Sequence, residues 1–264
     1  VRVVLKNRLI PVLLLQNGLL VRSELFKIHQ IIGNPIHEVE RFSHWSVDEL
    51  IYLDISREGP YDLRREDHKV RGLSDTSGIL EAVSRVCFMP LTWGGRLRTM
   101  EDLRDRFRRG ADKITINTAA YRTPDLIGQA AAAFGSQAVV VSIDALRHPD
   151  GRAEAFVDGG TQGMGLAPEA WAKEVEGRGA GEILLQSIDR DGTGRGYDLD
   201  LIHAVSSAVS IPVIACSGVG RYEDYVAGIR AGASAVAAAN LWHFKELADR
   251  GGKRALSKAG IPVR

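Results

Sequence analysis

The segment Pro90–Thr118, PLTWGGRLRTMEDLRDRFRRGADKITINT, lies over Pro212–Asn240, PVIACSGVGRYEDYVAGIRAGASAVAAAN, without a gap across 29 positions. Pro90 meets Pro212, Gly95 meets Ser217, Glu101 meets Glu223, Asp102 meets Asp224 and Gly110 meets Gly232, each pair 122 residues apart. Self-similarity at one fixed offset means that one structural unit has been used twice. Each copy reads as a strand, a glycine-bearing turn, a helix and a second strand. Pro11–Leu14 and Val141–Asp144 take equivalent places at the ends of the first and fifth strands.

Short apolar runs recur along the whole chain with helical stretches between them. The expected strands are Leu9–Leu15, Leu50–Ile55, Phe88–Trp93, Lys113–Asn117, Ala138–Ile143, Glu182–Ser187, Pro212–Cys216 and Ala233–Ala237. They lack strict alternation, as strands buried on both faces of a parallel sheet do. Pro124–Phe134 reads as a helix with Thr123 as its cap and proline at its first position. Ala167–Arg178 reads as another, stopped by Gly179. Strand–helix alternation predicts the α/β class. Eight units in 264 residues, close to the roughly 250 that a (β/α)₈ barrel takes, predict a single TIM barrel with a two-fold half-barrel repeat over residues 1–264. No linker or second domain is visible.

Several function classes are excluded at this stage. The net charge of +1 supplies no field for nucleic acid or an anionic membrane. The opening Val1–Leu20 is broken by Arg8, Pro11, Gln16 and Asn17, so it reads as a strand and not as a signal peptide or membrane span. The cytoplasm is the expected location. Cys87 and Cys216 are too few for a metal framework and read as buried thiols. His29, His37, His44 and His148 lack metal-ligand spacing and read as surface or packing residues. Neither a metal nor a cofactor is expected.

Each copy of the repeat carries a turn of small residues after a strand, at Gly94-Gly95 and at Ser217-Gly218. A second turn follows in each, at Asn117-Thr118 and at Ala239-Asn240. Small residues let backbone N–H groups approach a phosphate, and barrels commonly hold one after strands seven and eight. Duplication then predicts a second site after strands three and four, hence a phosphorylated small-molecule ligand with a phosphate at each end. The competing reading is that these residues only make tight turns. The first site is less regular, because Arg96 stands where a third small residue would keep the floor open. It either clashes with the anion or binds it.

The segments RGADKITINTAA, FGSQAVVVSIDA, RGAGEILLQSIDRDGTGRGYD and IPVIACSGVG resemble the cyclase subunit of imidazole glycerol phosphate synthase, and the resemblance runs from Arg8 to Phe244. It implies a glutaminase docked on the N-terminal face and ammonia passing through the barrel. It also implies a ribulosyl nucleotide with two phosphates at the C-terminal face, yielding imidazole glycerol phosphate and an aminoimidazole nucleotide. The family's acid–base aspartates end strands one and five. The second is Asp144, but Leu14 stands in the place of the first. Asp191, followed by Gly192, matches a residue of the active-site mouth, and Asp54 the aspartate ending strand two. Arg22 stands near a family lysine, and Gln186 replaces a threonine. The family's charged ring at the barrel floor is matched by Arg8, Glu49, Lys113 and Glu182, and a residue facing the glutaminase by Asp112. A ring of alternating sign also has a purely stabilising reading.

Leucine transfers no proton, and losing a positioned acid–base group costs about 10²–10⁴-fold in rate. An intact ring beside a lost acid is the pattern of a divergent branch found with surface-polysaccharide genes. Its opening, IPxLLLxNG, is matched from Ile10 to Gly18. That resemblance implies a subunit that passes ammonia from a glutaminase to a sugar amidotransferase making an acetamidino group. The alternatives are a true cyclase of histidine biosynthesis that tolerates Leu14, and a non-catalytic scaffold that docks a glutaminase.

Overall fold

The computed structural model describes residues 6–45, 47–57, 59–62 and 75–264. The first five residues of the Val1–Leu20 stretch lie outside them, and the expected strand Leu9–Leu15 lies within them. Among the described residues the strands are β1 (Arg8–Gln16), β2 (Leu19–Glu24), β3 (Ile28–Gly33), β4 (Leu50–Asp54), β5 (Leu91–Gly94), β6 (Lys113–Ile116), β7 (Val139–Arg147), β8 (Ala153–Val157), β9 (Gln162–Gly163), β10 (Glu182–Ser187), β11 (Val213–Cys216) and β12 (Ala235–Ala238). The helices are α1 (His37–Trp45), α2 (Thr76–Val86), α3 (Met100–Arg108), α4 (Thr118–Arg122), α5 (Asp125–Phe134), α6 (Pro168–Gly177), α7 (Leu199–Ala208), α8 (Tyr222–Arg230), α9 (Asn240–Phe244) and α10 (Ala248–Lys258).

Eight strands pair in parallel in the order β10-β11-β12-β1-β4-β5-β6-β7, and β7 pairs back to β10. This closes the (β/α)₈ barrel. Successive residues of β1 face opposite ways. Leu9, Leu13 and Leu15 pack in the layer beneath the helices, while Ile10, Val12 and Leu14 pack against one another's neighbours in the bore. Burial on both sides is why these strands read as unbroken apolar runs. No described helix is long and apolar enough to cross a membrane.

The duplication is reproduced in space at the same offset. β5 and β11, α3 and α8, β6 and β12, and α4 and α9 have identical bounds once 122 is added. Asp102 accepts from the backbone N–H of Arg98 and Thr99, and Asp224 from those of Gly220 and Arg221. The same carboxylate thus closes the first turn of both helices.

Several boundaries differ from the expectation. The third strand starts at Leu91, not Phe88, whose side chain is 88% exposed. Pro90 has no N–H for the ladder and ends the pairing there. The helix expected from Pro124 runs Asp125–Phe134, and Thr123 makes no side-chain cap. Its backbone N–H instead closes α4 on the carbonyl of Ala119. Cys216 is buried, but Cys87 is only half-buried. Burial pushes both thiols up, to about 12 and about 11.

Two antiparallel additions were not anticipated. β2 and β3 fold back on the end of β1, and β8 and β9 on the end of β7. The local signals were present. Asn17-Gly18 has both φ values positive, 51° and 80°, the geometry that tight hairpins demand. Asp150-Gly151 is the corresponding signal in the second.

Candidate functional site

At the N-terminal end of the barrel the four charges form a closed ring. Arg8 Nη1 lies 2.9 Å from Glu49 Oε2, and its Nη2 bonds Glu182. Lys113 Nζ lies 3.3 Å from Glu49 Oε2 and 3.0 Å from Glu182 Oε2. Burial by itself lowers the Arg8 guanidinium, but Glu182 and Glu49 outweigh it and the net shift is upward. The carboxylates are the buried members, at 5% and 4% exposure, so removing either cation would leave both leaning on the other, with Arg264 3.6 Å from Glu49 Oε1. Asp112, beside the ring and exposed, accepts from the Leu91 N–H at 2.8 Å.

Beyond the ring the bore is mostly apolar, lined by Ile10, Val12, Ile51, Val140, Leu184 and Ile214, with the buried Thr92 and Thr115 in register beside Ile51 and Val140. The next inward side chains reach the C-terminal mouth. Leu14 pairs with Val21 where β2 leaves β1, and Asp144 with Phe156 where β8 leaves β7. The two are thus structural equivalents, one apolar and one acidic. Asp144 Oδ1 accepts from Gln186 Nε2 at 3.0 Å and from Ser142 Oγ at 3.2 Å. Burial raises its carboxyl to about 7, against the lowering effect of Gln186 and Ser142 and with a further upward push from Asp191. A carboxyl poised near neutrality can both take and return a proton.

Asp191 is also raised by burial, although Ser23 Oγ at 2.7 Å and the Phe26 N–H at 3.1 Å bond its Oδ2. These donors come from the β2–β3 hairpin, which therefore places Asp191 at the mouth. Gly192 serves the same junction. Its φ is +71°, and a Cβ there would stand 2.4 Å from the Ser23 carbonyl oxygen. Asp54 is fully engaged by Tyr61, Thr76 and the Ser56 N–H. Arg22 donates to Gln30 at 2.6 Å and lies over the Phe244 ring, so its charge is turned along the hairpin.

The two turns of the repeat differ. Ser217 and Gly218 both have positive φ, 80° and 92°. A Cβ on Gly218 would stand 2.3 Å from the Gly196 carbonyl oxygen, and the buried Ser217 Oγ has no hydrogen-bond partner. In the first copy Gly95 and Arg96 have positive φ, 87° and 57°. A Cβ on Gly95 would fall 1.9 Å from the Asp54 carbonyl oxygen, and one on Gly94 2.3 Å from Thr115 Cγ2. Arg96 does not cover this floor. Its guanidinium lies 5.3 Å from the Tyr61 ring centroid and bonds the Gly59 carbonyl.

The second turns are tied to the hairpins. Asn117 Nδ2 donates to the Ser142 carbonyl at 3.1 Å, and Thr118 Oγ1 accepts from the Asp158 N–H at 2.9 Å. In the other half Asn240 Nδ2, next to Ala239, donates to the Ser23 carbonyl at 3.0 Å. A structural duty of these side chains accounts for the matching turns beside any contact with a ligand. Sequence reading missed Ser23, Ser142, Tyr61 and Thr76, because a lone hydroxyl carries no motif and its partner is set by the fold: Ser23 reaches Asp191 across 168 residues, whereas Ser142 reaches Asp144 from two residues away on the same strand. The model of the family described as "Histidine biosynthesis protein" matches residues 8–248. The chain belongs to the histidine biosynthesis protein family. It is 43% identical over 263 residues to the imidazole glycerol phosphate synthase subunit HisF of Gluconacetobacter diazotrophicus, covering 98% of this chain and 96% of that one. It is also 43% identical over 267 residues to the HisF subunit of Caulobacter vibrioides, with the same coverage. These relatives favour the histidine-pathway alternative over the surface-polysaccharide assignment.

Proposed function

We propose that this chain is the synthase subunit of an imidazole glycerol phosphate synthase. In this reading ammonia from a glutaminase enters at the ring of Arg8, Glu49, Lys113 and Glu182, crosses the apolar bore and meets a doubly phosphorylated ribulosyl nucleotide at the mouth. The observation that carries it is one axis with a closed ion ring at one end and an acid poised at about 7 at the other. Asp144 is the proton-transfer residue. The turn at Ser217-Gly218, with its unpartnered hydroxyl, receives one phosphate, and Asp191 orders the mouth.

Leu14 favours a second reading. With 8% exposure and no proton to give, it removes half of an acid–base pair. Nitrogen delivered to the mouth would then go to another acceptor, such as a surface sugar handled by an amidotransferase. A cyclase assay with the ribulosyl nucleotide and ammonium salt, without glutaminase, separates the two. Imidazole glycerol phosphate formed with Leu14 in place, and abolished by Asp144→Asn, supports the synthase. Binding without any turnover, even after Leu14→Asp, would overturn it.

A further inference from the structure

The β2–β3 hairpin has two different faces. From Val21 onward the pairing runs without a further shift, so Val21 stands opposite Ile31, Arg22 opposite Gln30 and Ser23 opposite His29. Directly opposed residues of an antiparallel pair share a face, and successive ones alternate. Arg22 and Gln30 follow this rule and bond each other at 2.6 Å. Val21 is also opposite Leu14 on β1. Leu14 and Val21 belong to the bore cluster, and Ile31 packs against it. The face that carries these three is therefore turned to the barrel axis. Ser23 and His29 form the next row of the same face, about 7 Å further out.

That row meets Asp191. The buried Ser23 Oγ donates to Asp191 Oδ2 at 2.7 Å, and the Phe26 N–H donates to the same oxygen at 3.1 Å. The Leu25 N–H holds the Asp191 carbonyl at 2.9 Å. Among the described residues no hydrogen bond reaches Asp191 Oδ1. His29, directly across from Ser23, is half-buried. Burial lowers its imidazole and the Asp191 charge raises it, with a net shift downward, so the ring is neutral at pH 7 and can accept a proton. The other charges of the hairpin do not share this row. Arg22 and Glu24 lie on the opposite face, and Lys27 is exposed in the turn. The charge of Asp191 also acts on Asp144, which ties both proton-bearing groups to one mouth.

We infer that His29, oriented by Asp191, is the second proton-transfer group of the mouth and supplies, opposite Asp144, the step that Leu14 cannot. The inference rests on the reading above that ammonia meets a ribulosyl ketone there. Ammonia adds to the carbonyl carbon, and the C=O π pair moves to oxygen. His29 takes one proton from the new ammonium as protonated Asp144 gives one to the oxygen. Water then leaves with the proton returned by His29, the nitrogen lone pair closes C=N, and Asp144 takes a second N–H proton. Both groups end as they began, and one water leaves for each ammonia added.

The test follows product formation from ammonium and the ribulosyl nucleotide by the full chain, beside proton NMR of the His29 ring, identified by its absence in His29→Gln. His29→Gln should lower kcat by about 10²-fold, the usual worth of a positioned acid or base. KM for the nucleotide should stay within about twofold, since the interaction is made in the transition state. In a chain carrying Leu14→Asp, a carboxyl on the inner row takes over, and adding His29→Gln should change kcat by less than about threefold, a non-additivity that a merely structural histidine would not show. An unchanged kcat in His29→Gln, or an equal loss in both chains, overturns the inference. Asp191→Asn should move the His29 titration to lower pH, because the charge that raises it is gone, and an unmoved titration overturns the pairing. If the unaltered chain makes no product, the function above fails, and the His29 titration alone decides whether the pair exists.

Discussion

Leu14 and Asp144 occupy equivalent residues of the two halves, yet only one can move a proton. Leu14→Asp should raise imidazole glycerol phosphate formation from ammonium by about 10²-fold or more, the usual worth of a positioned acid or base. Turnover should be followed at saturating ribulosyl nucleotide, and an unchanged rate would remove Leu14 as the cause of slow chemistry. Asp144 also makes a stability prediction. Its folded carboxyl is raised to about 7 from an ordinary 3.8. The protonated group's contribution is therefore complete below about pH 4 and is lost as pH rises to about 7. Asp144→Asn keeps an oxygen for Gln186 and cannot ionise. Its melting temperature should exceed that of the unaltered chain at pH 8, by several degrees, with the difference vanishing near pH 4. The importance of Asp144 was legible in the sequence. Its elevated carboxyl was not, because it depends on burial in the closed barrel and on Asp191 approaching from another loop, against the lowering bonds of Gln186 and Ser142.

At the scale of elements, the repeat was the best guide. It forecast β5, α3 and β6 and their counterparts, because gapless similarity over a strand–turn–helix unit transfers the backbone as well as the residues; α4 and α9, which begin where the repeat ends, were not forecast. The hairpins escaped because they lie outside the repeated segment, although Asn17-Gly18 is a turn signal. Their effect on the site is direct, since Ser23 and Phe26 reach Asp191 only through β2 and β3. The Ser217-Gly218 turn gives the element-scale test. Gly218→Ala forces a side chain to φ +92° and against the Gly196 carbonyl. Strain of this type costs roughly 1–3 kcal/mol. Denaturant melts should show that loss, and phosphate titration should show the site weakened.

Across the whole molecule, the ring and the mouth are joined by a mostly apolar bore in which Thr92 and Thr115 are the polar exceptions on β5 and β6. The ring residues were readable individually, but their closure into alternating contacts needed the barrel to bring the starts of four strands together. Lys113→Met should leave Glu49 and Glu182 short of one cation. Stranding a buried charge costs roughly 3–5 kcal/mol, and the low end applies here, because Lys113 is 20% exposed and Arg8 remains. Melting must therefore be followed beside activity. In a chain that still folds, glutamine-driven nitrogen transfer should fall while the ammonium-driven reaction stays within about twofold, the expected signature of a passage as opposed to a reaction site. The most direct measurement is glutamine hydrolysis by a co-expressed glutaminase of the Cys-His-Glu class, with and without this chain. The account predicts that the two co-purify, that the barrel stimulates hydrolysis, and that Lys113→Met uncouples hydrolysis from nitrogen transfer. A glutaminase that neither co-purifies nor changes its rate in the presence of the barrel would contradict it.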